Sequence, residues 1–283
     1  MISAVCAFCE GPLVLAQSEA EPIDRIAPFL VDRRAAAEAL SDFLAQRYLA
    51  PEVVRRASTP DALRPMFVPF YAYDAVAHTS YRAEIGIYWY RTETYTTTDS
   101  EGKTVTKTRQ VRETDWHPLQ GSHVSQWRDH LVSASVGLAE AHANALEPFD
   151  LGAAMPWSPA LLAGIEAERP TVDHDTASQT AAGEITELAG AEISASHLPG
   201  DTYRDLQWRT RCDLGEVRLV LLPVWIAVFP SPGGPIQLLV NGQTTEVVGT
   251  VPTSVPKVIG AVAAVVLLLA GLTLLFSTIG GLW

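Results

Sequence analysis

The chain has 283 residues, 48% of them hydrophobic and 18% charged, enough apolar material for a packed core in one or two domains. Its formal charge of −12 argues against a general nucleic-acid binder, which would carry a basic face. Only three lysines are present: Lys103 and Lys107 fall in one predicted hairpin, and Lys257 precedes the tail.

Cys6 and Cys9 form a C-x-x-C followed by Gly11-Pro12 and the apolar Leu13-Val14-Leu15. That is the outline of the second half of a zinc ribbon. Zinc takes four ligands, and one C-x-x-C supplies two. The open alternatives are a lost site, a site shared between two chains, a start that falls after the first knuckle, or no metal at all. With Cys212 the cysteine count is three, too few and too odd for a disulfide framework, so a reducing compartment is expected. No basic n-region precedes the early apolar stretch, so a secretion signal is not expected.

Residues 28–48 read as a helix entry and a helix, with Asp32 as the N-cap and Ala36, Leu40, Phe43, Leu44 and Tyr48 at helical spacing. Pro51 ends it, and a short helix is expected over 52–57. Residues 67–74 open a β-rich stretch. Segment 79–98, the turn at 99–102 and segment 103–116 read as one long antiparallel hairpin. Lys103, Lys107, Arg109 and Arg112 mark one of its arms as a possible surface for an acidic partner or lipid headgroups. A solvated edge guarded against aggregation is the plainer reading.

Residues 124–136 are expected as a strand and 137–146 as a helix. Asp175–Ile193 is the second convincing helix, with Ile185, Leu188 and Ala189 on one face. Leu219–Phe229 is a nearly continuous apolar run, expected as a buried strand. Asn241-Gly242 suggests a tight type I′ turn. Pro69-Phe70-Tyr71 and Pro223-Val224-Trp225 share a pattern that suggests related halves at about 60–150 and 200–250.

From Val258 through Leu268 to Ile279 the chain carries no charge, and at ~1.5 Å per residue a helix of that length would reach roughly 33 Å. A transmembrane helix is therefore expected over 258–279, preceded by a Pro-containing linker at 251–257. The expected arrangement is tail-anchored: one pass through an inner membrane, membrane lipid around the helix, and the remaining domain in the cytoplasm. Gly260 and Ala264 would allow close helix contact in a homo-oligomer. The fold class expected is α+β: a β-rich domain with a long hairpin and a few helices, plus that C-terminal helix.

Several stretches together resemble one group. They are Cys6-Ala-Phe-Cys9, Phe67-Val-Pro-Phe-Tyr-Ala-Tyr-Asp-Ala75, Thr92-Glu-Thr-Tyr95, Thr108-Arg-Gln-Val-Arg112, Trp116, Leu146-Glu-Pro-Phe-Asp150, Leu222-Pro-Val-Trp225 and Val240-Asn-Gly-Gln-Thr244. The group is the uncharacterised bacterial zinc-ribbon membrane proteins, labelled TFIIB-type zinc ribbon-containing or primosomal protein N′-like. The resemblance implies a ribbon (residues 1–22 here), a mixed α/β domain (23–250) and C-terminal membrane segments. It implies no established activity. An earlier C-x-x-C that completes the group's ribbon has no counterpart in this chain, and zinc would need another chain or a longer N-terminus to complete its shell.

No phosphate loop, nucleophile elbow, H-E-x-x-H or dinucleotide fingerprint is present. The acid–histidine clusters are Asp115 with His117, Asp129-His130 and Asp173-His174-Asp175. All read first as solvated or capping groups, with Asp175 at a helix N-cap. Cys212 reads as a lone buried thiol. The expected function is a membrane-tethered, non-enzymatic adaptor that holds a protein partner. The alternatives are a metal-dependent hydrolase using the loop Asp/His residues, and a nucleic-acid-binding ribbon module.

Overall fold

The computed structural model describes residues 22–51, 54, 59–98, 100, 102–162, 164–229 and 234–280, apart from the side chains of 255, 256, 261 and 272–280. The strands are β1 (Arg25–Ile26), β2 (Arg64–Thr98), β3 (Thr104–Ser133), β4 (Met155–Pro156), β5 (Glu166–Ala167), β6 (Thr202–Phe229), β7 (Ile236–Asn241) and β8 (Val247–Val248). The α-helices are α1 (Arg33–Ala45), α2 (Glu140–Leu146), α3 (His174–Ser196) and α4 (Val255–Gly280). The sheet order is β3-β2-β6-β1-β4, with β5 on β2 and β7 between β6 and β8. Pairing is mixed: β1 runs parallel to β6 and β5 parallel to β2, while β7 is antiparallel to both β6 and β8.

Contacts divide the chain into two compact units. Unit 1 comprises 1–71, 131–173 and 218–283; unit 2 comprises 72–130 and 174–217. This division cuts β2, β3 and β6.

Unit 1 is built where the sequence is uninterruptedly apolar. From Leu219 to Ala227 every residue of β6 is buried, as a strand covered on both faces requires. Trp225, Ala227 and Phe229 face α1, where Ala36, Ala37, Leu40 and Leu44 are buried, and Ile236, Leu238 and Val240 of β7 complete that cluster. Leu221 joins Ile26 and Phe67 in a second cluster. Asp32 caps α1 by accepting from the Ala35 amide at 2.8 Å. The buried Trp225 Nε1 donates to the Val31 carbonyl at 3.0 Å.

Asn241 and Gly242 have another role than the expected two-residue turn. The Leu239–Val248 and Val240–Val247 pairs leave a longer loop after Asn241. Asn241 is fully buried. Its amide donates to the carbonyls of Leu146 at 2.7 Å and Pro148 at 2.9 Å. Its side-chain oxygen accepts from the amides of Gln243 and Thr244 at 2.7 and 3.1 Å. Gly242 is required by space, since a Cβ there would lie 2.7 Å from Phe29 and from the Pro223 carbonyl.

Unit 2 is a hairpin-based sheet under one helix. Ala177, Ala181, Ile185, Ala189 and Ile193 recur every fourth residue on α3 and are all buried. Leu188, expected on that face, is instead 41% exposed. Small residues let the helix approach closely: a Cβ on Gly190 would lie 2.3 Å from the Trp208 ring. Ile185 packs with Ala75, Ala77, Trp127, Cys212 and Leu214.

The hairpin is longer than expected. The stretch 67–74 and the segment 79–98 merge into β2, and 103–116 and the separate strand expected at 124–136 merge into β3. Cross-strand partners Trp89–Asp115, Arg91–Glu113 and Arg109–Glu93 rise on one strand as they fall on the other, the mark of antiparallel pairing. Gly102, at φ +80°, supplies the left-handed residue of the turn.

Two further expectations are corrected. A helix does form over the tail as α4, but among the described residues no helix is long and apolar enough to cross a membrane. Val258, Leu268 and Ile279 therefore do not stand as a membrane-crossing helix, and the tail-anchored, single-pass location loses its basis. The foot of α4 is held by protein: Lys257 Nζ donates to the Ala50 carbonyl at 2.7 Å, and the Ser254 amide just before the helix to Leu49 at 2.7 Å. The fold is a mixed, strand-rich sheet with few helices. The short helix expected over 52–57 lies largely outside the described residues.

Candidate functional site

Cys6 and Cys9 lie outside the described residues. Cys212 is the only described cysteine and is free, so no zinc-binding arrangement of cysteines exists among the described residues. The zinc-ribbon expectation is corrected to that extent. Burial, and after it the Asp213 carboxylate, push the Cys212 thiol above its ordinary value. This keeps it protonated and suits a packing thiol better than a nucleophile.

The three acid–histidine clusters do not assemble. Asp115 accepts from Trp89 Nε1 at 3.0 Å on the hairpin. His130 Nε2 meets Glu184 Oε2 of α3 at 2.9 Å, while Asp129, at φ +55°, turns its amide to Asp74 Oδ1 at 3.1 Å. His174 opens α3 and its ring lies 6.1 Å from that of Tyr73. Asp175 sits inside the first helical turn, not at the cap, with its side chain 97% exposed. None of these residues belongs to a three-ligand group among the described residues.

The hairpin beyond Gly86 is unusual in composition. On both strands almost every side chain from residue 87 to 112 is exposed or half-exposed. Yet Ile87, Trp89, Tyr90 and Tyr95 are all at least 40% exposed. Alternation places Ile87, Trp89 and Tyr95 on one face, together with Lys103, Lys107 and Arg109 of the facing strand. Of the expected cationic residues, Arg109 is held by Glu93 at 2.8 Å and stacks 5.5 Å from the Tyr95 ring. Arg112 lies over Tyr88 on the opposite face at 4.2 Å. Lys103 and Lys107 are exposed. The arm is thus stiffened by its own cation–π and ion pairs, each worth about 0.2–1 kcal/mol.

Nearer the helix, a groove of about 470 Å³ opens beside Ser80, Arg82, Gln120 and Gln207. Arg82 is fixed there by two hydrogen bonds to Gln207 Oε1, at 3.0 and 2.5 Å.

A third arrangement was not foreseen. His123 of β3, Glu192 of α3 and His197, one residue past α3, bring one donor atom each to within 4.8 Å of one another. His123 Nε2 lies 3.3 Å and His197 Nε2 3.9 Å from Glu192 Oε1. The two rings stack at 3.9 Å between centroids, tilted by 34°.

In unit 1, burial pushes the Glu168 carboxyl up to about 7, against the opposing pull of the Ser135 hydroxyl. That hydroxyl donates to Oε1 at 2.7 Å, while the buried Oε2 has no hydrogen-bond partner.

No family model matches the chain, and no solved structure does. The chain is similar to a protein of Bacillus subtilis (strain 168) described as uncharacterized protein YdjG, with 24% identity over 243 residues, 83% of this chain. It covers 65% of that relative's length.

Proposed function

We propose that this protein works by binding rather than catalysis, as an adaptor that engages a protein partner through the β2–β3 hairpin. The observation that supports this reading is the hairpin face on which Ile87 and Trp89 stand 47% and 43% exposed in an otherwise polar arm. Clustered exposed aromatics on a monomer mark interaction surfaces. Lys103 and Lys107 share that face, so the matching partner surface is apolar with an acidic rim. Because the arm contributes little to a hydrophobic core, its aromatics are better explained by what they meet than by what they hold together. The acid–histidine residues on which a hydrolase reading depends are dispersed, which favours the adaptor over that alternative.

The test is site-specific photo-crosslinking in cells of the source organism. A photoreactive residue placed at Trp89 or Tyr95 is expected to give the same discrete protein adduct, reduced at least tenfold by Lys107→Glu. Tyr48, 78% exposed in unit 1, is the control position. No adduct from the arm, or the same adduct from position 48, would remove the proposal.

A further inference from the structure

The stacked pair His123 and His197 with Glu192 has a chemistry of its own. Two imidazole nitrogens and one carboxylate oxygen form a borderline donor set, suited to zinc and its neighbours rather than to calcium or magnesium, which favour all-oxygen shells. The spacing agrees. A tetrahedral ion with bonds of ~2.0–2.2 Å has ligand atoms roughly 3.3–3.6 Å apart. The two separations given above, 3.3 and 3.9 Å to the shared carboxylate oxygen, are at or slightly beyond that edge.

A second observation points the same way. His123 Nε2 is buried and has no hydrogen-bond partner. It lies within ion-pair distance of Glu192, but not in hydrogen-bonding geometry. A buried ring nitrogen left unsatisfied is costly, and a shared cation would satisfy it. The three side chains are also accessible, with exposures of 21% for His123, 38% for Glu192 and 36% for His197.

The scaffold holds the three donors in place. Glu192 sits in the last full turn of α3, and the His197 amide extends that turn by donating to the Ile193 carbonyl at 3.0 Å. Ile193 is fully buried beneath it, which fixes the helix end. His123 comes from β3 of the same unit.

We infer that His123, Glu192 and His197 form a binding site for a divalent ion of the zinc class, which clamps the end of α3 to β3. Binding free energy at such a site becomes stability of the unit that contains it.

The experiment uses the full chain without an affinity tag, treated with a chelator and dialysed. Cys6→Ser and Cys9→Ser are introduced so that the other candidate ligand pair cannot contribute. Zinc is titrated by calorimetry, and cobalt(II) by absorption. The expected result is one ion per chain, a cobalt spectrum of nitrogen and oxygen ligation without thiolate charge transfer, and a rise in unfolding midpoint with zinc. Glu192→Gln, which keeps the shape, and His123→Ala and His197→Ala are each expected to weaken binding at least tenfold. His117→Ala, elsewhere on β3, is expected to leave it unchanged. Circular dichroism of the metal-free variants confirms that they are folded. Absence of saturable binding, or equal affinity in the three ligand variants, would overturn the assignment.

Discussion

Strand β6 behaves as two different materials along its length. From Leu219 to Ala227 it is buried at every position, whereas from Tyr203 to Val217 exposed and half-exposed residues interleave. The first part belongs to unit 1 and the second to unit 2. In unit 1 the strand is held by apolar area, at about 25 cal/mol per Å² buried. In unit 2 the neighbouring strand is met through polar pairs: Thr79 with Thr210 at 2.9 Å, Arg82 with Gln207, and Arg204 with Glu84. Only the face under α3 adds a thin apolar layer. The contrast separates where stability is stored from where surface is free for other work.

The sharpest way to break that comparison is to empty the core of unit 1. Leu222 is fully buried, and Leu222→Ala is expected to cost roughly 2–5 kcal/mol in chemical denaturation. A cost below about 1 kcal/mol would mean that this run does not carry the core.

Next in size is the effect of pH through Glu168. Its carboxyl binds a proton more tightly folded, at about 7, than unfolded, at 4.5. Its contribution is therefore fully present below pH 4.5 and is lost as pH rises through 7. At 1.36 kcal/mol per unit this amounts to about 3 kcal/mol. Glu168→Gln should flatten that part of the stability–pH curve, measured by denaturant titration at several pH values. An unchanged slope would contradict the burial argument.

Gly190→Ala sharpens the same comparison within unit 2. The added methyl meets Trp208, whose Nε1 is already committed to the Thr186 carbonyl at 3.1 Å. The expected loss is about 1–3 kcal/mol, read from the thermal midpoint. Smallest of all are changes on the arm. Tyr90→Ser and Arg109→Ala should each stay within about 1 kcal/mol, because both side chains are exposed.

How legible these features were depends on the range of the interactions that create them. Helix α1 was readable because its apolar spacing and Asp32 cap are local. The buried part of β6 was readable because nine adjacent buried positions leave no polar face. The interruption expected between 74 and 79, and again between 116 and 124, is absent. Pro118 and Asp74 suggest breaks locally, yet pairing on the sheet continues the strands through both. Asn241-Gly242 looked like a two-residue turn, but the Asn241 side chain is spent on carbonyls of Leu146 and Pro148, almost a hundred residues away. The same range hid the His123 group. Glu192 and His197 share no motif with a histidine on β3, and only the seating of α3 brings them together. The charged residues of the hairpin were legible as residues, but not their pairing: Arg109 and Arg112 lean on Tyr95 and Tyr88 of the facing strand. The apolar tail forms the expected helix, but the role expected of it does not stand.

The central claim is that the hairpin beyond Gly86 is a free surface and not part of the stabilising core. Hydrogen exchange on the full chain tests it most directly. Amides at 67–73 and 219–227 should exchange only through global unfolding, while amides at 88–97 and 105–114 should exchange at least a hundredfold faster. Equal protection in the two regions would show that the arm is part of the cooperative core, and the adaptor reading would lose its basis.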